Sequence, residues 1–106
     1  MTDLGYAPFR VTVERTDDRA VLSCSGELDL ATADELTTAV KAVLQDSPEA
    51  ILIVFDDATF VDSSGLRALL EAIEDCRDSS IPVHVRPGAT LQRLLDLVQI
   101  DLPRER

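Results

Sequence analysis

The chain is organised around residues 57–70, which read DATFVDSSGLRALL. The segment just before it, Ile51–Phe55, is a continuous apolar run that is short and rich in β-branched residues, which predicts a strand covered on both faces. After Gly65 the apolar residues recur at helical spacing; they are Leu66, Leu69, Leu70, Ile73 and Cys76. We therefore predict a central strand, an acidic loop over residues 56–64 and an amphipathic helix that starts near Gly65.

Upstream of this segment the sequence predicts a hairpin and a helix. Apolar and polar residues alternate over residues 9–14, as in a strand with one wet face, and a second strand over residues 20–24 ends at Ser25-Gly26. Thr32 with Glu35 three residues later has the spacing of a capping box, which predicts the start of the first helix.

Downstream, residues 82–86 predict a short last strand, and Pro82 near its start suits an edge strand or a strand beginning. After Pro87-Gly88 the apolar positions at helical spacing predict a third helix; they are Leu91, Leu94, Leu95 and Val98.

The predicted order is β-β-α-β-α-β-α, an α/β fold. Strand-helix-strand units require parallel pairing with right-handed crossovers, so we expect an open mixed four-stranded sheet, in the order 1-2-3-4, with the helices mainly on one face. We expect a single domain over residues 1–106, with its core over about residues 9–98. Sites gather at the carboxyl ends of parallel strands, which predicts that Asp29, Asp56, Asp62 and the two adjacent serines lie near one rim.

Composition excludes several classes of function. The 106 residues carry 20 acids against 10 Lys and Arg, a net charge of -10, which disfavours nucleic acid and anionic membranes as partners. No apolar run approaches the roughly 20 residues that span a bilayer, and we expect a cytoplasmic protein. Cys24 and Cys76 each fall in an apolar pattern and predict reduced core thiols. No ligand set for a metal is visible, and no cofactor is expected.

Ser63 and Ser64 have three possible uses: helix cap, nucleophile or phosphoryl acceptor. Either serine could be the N-cap of the helix. Nucleophilic catalysis needs a base, but the only histidine, His84, lies between Val83 and Val85 on a strand, and residues 62–65 are not a GxSxG elbow. A loop for free phosphate would contain glycines and a lysine, whereas this one is acidic. The acidic residues could equally form a solvated rim. A phosphate attached to a serine would be accommodated by the helix N-terminus.

Two motifs carry a resemblance to a known family. Gly26-Glu27-Leu28-Asp29 follows the second predicted strand, and Phe60-Val61-Asp62-Ser63-Ser64-Gly65-Leu66 lies between the third strand and the second helix. Together, at this spacing, they resemble the signature motifs of STAS domains, and the second resembles the form found in bacterial anti-sigma-factor antagonists. The order of elements agrees with the STAS fold from about Phe9 to Val98.

The resemblance implies a partner switch without enzymatic activity. In that family the serine at the position of Ser63 is phosphorylated by an anti-sigma factor that is also a serine kinase; the unmodified antagonist binds this kinase and releases its sigma factor. The phosphorylated form dissociates from the kinase, and a phosphoserine phosphatase removes the phosphate. A monomer is the family expectation, and ATP belongs to the kinase. Such switches act in transcription regulation under stress.

The resemblance also implies roles for the residues around Ser63. Asp62 flanks the phosphosite, Asp29 lies beside it, and the remaining neighbours are Ser64, Gly65 and Leu66. An alternative within the family is a STAS subunit of a lipid ABC transporter, which would work without phosphorylation. The presence of Ser63 favours the antagonist. The two hydroxyls are then expected to have different tasks: Ser64 or its neighbour caps the helix, while Ser63 points outward beside Asp62 as the acceptor.

Overall fold

A computed structural model describes residues 8–104 of the chain. The elements, in order, are β1 (Arg10–Arg15), β2 (Ala20–Leu28), α1 (Ala33–Leu44), β3 (Ile51–Val61), α2 (Ser63–Asp78), β4 (Val83–Arg86) and α3 (Gly88–Val98). This is the predicted β-β-α-β-α-β-α order.

The four strands form one mixed sheet in the order β1-β2-β3-β4. β1 and β2 pair antiparallel, whereas β2 with β3 and β3 with β4 pair parallel. The α/β fold, the strand order and the central position of β3 are confirmed.

One hydrophobic core joins the sheet to all three helices. It contains alternate residues of β2 and β3 together with Leu36 and Val40 of α1, Leu69 of α2 and Leu91 of α3. The helices therefore pack mainly on one face of the sheet, as predicted. All five residues of Ile51–Phe55 are buried, which fits the continuous apolar run.

The prediction of a loop over residues 56–64 is wrong. β3 continues through Val61, and residues 57–61 pair with β2, which itself extends to Leu28 rather than ending at Ser25-Gly26. Between the pairs Ser23–Val54 and Ser25–Asp57, β3 uses three steps against two on β2, and a second irregularity follows Gly26. These bulges break the period-two pattern, so the sequence does not resemble a strand there.

The two edges of the sheet differ. Beside β4, the backbone N–H of Val85 donates to the carbonyl of Pro103 at 2.7 Å, and Leu102 is buried against the core. Residues 102–104, the C-terminal tail that the structure describes, thus cover part of the β4 edge. The opposite edge strand is β1, and five of its six residues are exposed.

Candidate functional site

A single residue, Asp62, joins β3 to α2. Its backbone is extended, with φ -106° and ψ -173°, and its side chain accepts a hydrogen bond from the backbone N–H of Gly65 at 2.9 Å. Asp62 is therefore the N-cap of α2, with Gly65 at the third helical position. The prediction that Ser64 or its neighbour caps the helix is wrong, since the carboxylate of Asp62, which precedes both serines, fills that role.

Because Asp62 caps the helix, neither serine hydroxyl is needed for the cap hydrogen bond. Ser63 is exposed at the first position of α2, and Ser64 is partly exposed at the second. Among residues 8–104, no side chain or backbone group forms a hydrogen bond with either hydroxyl. Within this part of the chain, neither hydroxyl has the hydrogen bond to a base that an activated nucleophile would show.

A groove between the first turns of α1 and α2 is open at both serines. It has a volume of about 280 Å³ and is lined by Leu30, Ala33, Asp34, Thr37, Ser63, Ser64, Arg67, Ala68 and Glu71. Leu30 is an apolar residue with 79% of its surface exposed at this groove. The groove thus combines an exposed apolar side chain, carboxylates and one guanidinium.

Three residues of this groove were not predicted as site residues from the sequence: Leu30, Asp34 and Arg67. Two signals were available: Leu30 directly follows the Gly26–Asp29 motif, and Arg67 is four residues after Ser63, the spacing that places two side chains on the same helix face.

Gly65 and Leu66 support the site from beneath. A Cβ atom on Gly65 would lie 2.5 Å from the carbonyl oxygen of Leu28 and 2.8 Å from its side chain, closer than atoms can approach. Leu66 is buried in the core. Both residues are buried at the start of α2, where Gly65 lies against the end of β2. Their predicted role in a partner-binding site stays a prediction.

Asp29 shapes the loop before α1. Its carboxylate accepts hydrogen bonds from the backbone N–H groups of Ala31 at 3.0 Å and Thr32 at 3.1 Å. The hydroxyl of Thr32 donates to the carbonyl of Glu27 at 2.8 Å and makes no cap bond to the helix. The helix begins directly after Thr32, as predicted, but the side-chain hydrogen bonds of the predicted capping box with Glu35 are absent. Asp29 lines a neighbouring groove with Glu27 and Glu35, and its role beside Ser63 stays a prediction.

Asp56 does not lie at the rim with the serines, contrary to the prediction. It precedes Asp62 by six residues of extended strand, a separation of about 15–20 Å. Its carboxylate is 3.5 Å from the guanidinium of Arg86 on β4. The rim at Ser63 owes its negative charge to Asp62 and to the groove residues Asp34 and Glu71.

Other kinds of site find little support in residues 8–104. No group of three or more His, Cys, Asp and Glu side chains could hold a metal ion there. Cys24 and Cys76 are free and buried, as predicted, and His84 is exposed on β4. No helix in this part of the chain is both long enough and apolar enough to cross a bilayer.

Comparisons with known proteins agree with the fold and the two motifs. The STAS domain family model matches residues 10–102. The chain belongs to the STAS domain family. It is 35% identical over 97 residues to the anti-sigma-F factor antagonist RsfB of Mycobacterium tuberculosis, a match that covers 90% of this chain and 80% of RsfB.

Solved structures of STAS proteins share the architecture. A crystal structure of an anti-sigma factor antagonist from Mycobacterium paratuberculosis superposes with a TM-score of 0.75 and 32% identity, over 87% of this chain and 79% of that one. The phosphorylated form of the Bacillus cell fate determinant SpoIIAA gives a TM-score of 0.65 at 21% identity, over 84% and 83% of the two chains. At that identity the second match shows the fold alone.

Proposed function

We propose that this protein is an anti-sigma-factor antagonist whose affinity for its partner is set by phosphorylation of Ser63. The observation that carries the proposal is the division of tasks at the start of α2. Asp62 caps the helix, and the hydroxyl of Ser63 is exposed and unpartnered beside it. The named mycobacterial relatives favour this role over a transporter subunit.

A phosphate on Ser63 is compatible with the fold. It would sit at the first position of a 16-residue helix, where the positive end of the helix dipole favours an anion. Arg67, one turn further on the same helix face, lines the same groove and can pair with the phosphate. The folded domain can therefore carry the modification without rearrangement.

The same phosphate would disfavour a docked partner. It adds about -1.5 to -2 of charge to a rim that already contains Asp62, Asp34 and Glu71. A partner seated on the groove would meet both added bulk and added negative charge. The unmodified form is then the form that binds. Its partner is an anti-sigma factor with serine kinase activity, and a phosphoserine phosphatase removes the phosphate that this kinase adds.

The test uses the purified protein, its cognate anti-sigma factor and ATP. We expect mass spectrometry to locate a single phosphate on Ser63. Ser63→Ala should abolish the modification while keeping the affinity for the anti-sigma factor, and Ser63→Glu should weaken binding at least about tenfold through like-charge repulsion.

Ser64→Ala is the matched control, because it removes the adjacent hydroxyl and leaves the cap intact. It should be phosphorylated like the wild type. Phosphate found only outside Ser63, or equal binding by Ser63→Glu and wild type, would contradict the proposed switch.

A further inference from the structure

The outer edge of β1 is an unpaired strand edge. β1 pairs with β2 on one side only, and within residues 8–104 no segment pairs with its other side. An open edge presents a row of backbone N–H and C=O groups that can pair with another chain. The opposite edge of the sheet, at β4, is partly covered by the tail.

The side chains of β1 divide into an apolar face and a charged face. Val11 and Val13 pair with Cys24 and Leu22 of β2, and so lie on the helix face of the sheet. Val13 is nevertheless 41% exposed. On the other face Arg10, Thr12 and Glu14 follow one another at alternate positions.

Arg10 and Glu14 have opposite charges and no partner among residues 8–104. They are four residues apart on one strand, about 13 Å, so they cannot pair with each other within one chain. Since no described residue pairs with either charge, a second molecule at the strand edge can supply both partners.

One antiparallel register pairs all of these groups with their counterparts in a second copy. With Thr12 opposite Thr12 of the second copy, Arg10 lies opposite the second copy's Glu14, and Val11 lies opposite its Val13. Each of these pairs then occurs twice, related by a two-fold axis at Thr12. All pairs join residues of the same face, so the helices of both copies lie on one side of the sheet.

Neighbouring registers are worse. A shift by one residue places Arg10 opposite Arg15 or Val13, depending on its direction, and sets the two helix layers on opposite sides of the sheet. A shift by two places Arg10 opposite Thr16 or Thr12, so Arg10 no longer faces Glu14.

We infer that the β1 edge is a homodimerisation surface, in which two four-stranded sheets join antiparallel through β1 into one sheet of eight strands. The occupant is a second copy because Arg10 and Glu14 each face a residue of opposite charge in that copy, while Arg15 already pairs with Asp46 of its own chain. The dimer is weak, since a six-residue edge buries less area than a stable interface needs and two copies of net charge -10 repel each other. Ser63 follows β3, two strands away, and stays accessible in both copies.

Charge-swapped variants test the register directly. We expect sedimentation equilibrium of the wild type to show a mass that rises with concentration from 11.6 kDa toward twice that value. Arg10→Glu and Glu14→Arg should each weaken self-association at least tenfold, because each places like charges opposite one another at both ends of the interface. Mixed in equal amounts, the two variants should form a heterodimer, since every Glu then faces an Arg.

Matched controls and contrary outcomes complete the experiment. Arg93→Glu on α3 and Glu74→Arg on α2 make the same changes in net charge at exposed positions away from β1, and should dimerise like the wild type. Circular dichroism checks that each variant is folded. A wild type that stays at 11.6 kDa at every concentration, as the family's expected monomer would, overturns the inference. So does a dimer that the swaps leave unchanged, or a mixture that forms no heterodimer.

Discussion

Asp62 is the side chain on which the presentation of Ser63 depends. Its carboxylate satisfies the N–H of Gly65, which has no partner within the helix, and its backbone N–H donates to the carbonyl of Leu28 at 3.2 Å. Asp62 thereby ties the start of α2 to the end of β2. The same residue also supplies a negative charge beside the proposed phosphosite.

Replacing Asp62 separates these two contributions. We expect Asp62→Ala to lower the free energy of unfolding by about 1 kcal/mol, because the cap hydrogen bond is lost. Asp62→Asn should retain most of the stability, since an amide oxygen can accept the same bond, while removing the charge. Urea denaturation at neutral pH measures both variants, and equal losses would contradict the assigned cap.

The sequence could not show which residue is the cap. Asp62, Ser63 and Ser64 are three consecutive residues of types that favour the N-cap, and all precede the same apolar pattern. The choice depends on where β3 ends, and that is set by pairing with Leu28 of β2, a contact distant in sequence. The position of Ser63 at a helix start was predicted, but its freedom from a capping role was predicted for the wrong reason.

Among the elements, β3 and α2 determine the geometry of the site. The apolar run Ile51–Phe55 made the buried half of β3 predictable, because it requires no knowledge of the partner strands. The second half contains exposed Asp56, Asp57, Thr59 and Phe60 and is a strand only because β2 continues beside it. Local sequence contains no signal for such pairing, whereas α2 and α3 were predicted from the periodicity of their own apolar residues.

The contact between α2 and β2 at Gly65 can be tested by the sign of the change in the free energy of unfolding when Gly65 is replaced by Ala. Helix propensity alone predicts that Gly65→Ala stabilises the protein by about 1 kcal/mol. Because the new Cβ would lie 2.5 Å from the carbonyl oxygen of Leu28, we expect a loss of about 1–3 kcal/mol instead.

Urea denaturation of Gly65→Ala beside Ser64→Ala decides between these signs. Ser64 is partly exposed and its hydroxyl has no hydrogen bond to lose, so its variant should stay within about 0.5 kcal/mol of the wild type. A stabilised Gly65→Ala variant would mean that α2 is not held this close to β2.

The molecule as a whole depends on an aliphatic core that contains both thiols. Burial raises the pKa of Cys24 from an ordinary value near 9 to about 12. Burial, with a smaller effect of Asp75, raises the pKa of Cys76 to about 11. The folded state therefore holds both thiols neutral at a pH where the unfolded chain ionises them.

This difference predicts a loss of stability in alkali. Above about pH 9 the unfolded state binds fewer protons than the folded state, so the free energy of unfolding should fall, by up to about 1.4 kcal/mol per pH unit for each thiol. The fall should continue until the pKa of the folded thiols is reached, near 11 and 12. Urea denaturation between pH 8 and about 10.5 measures the slope.

The matched variant replaces Cys24 and Cys76 together by Ala. It should be less stable at pH 8, because two buried sulfur atoms are removed. Its stability should nevertheless depend less steeply on pH than that of the wild type. Equal slopes for the two proteins would show that other groups cause the alkaline loss.

The one-residue join between β3 and α2 has a consequence for any kinase that modifies Ser63. That enzyme would meet a serine already wound into the first turn of a helix and would recognise a folded shape instead of an extended peptide. A synthetic peptide covering residues 57–70 has the same amino-acid sequence but lacks β2, which holds Asp62 and Gly65 in place. Substrate searches based on short linear motifs would accordingly overlook proteins of this kind.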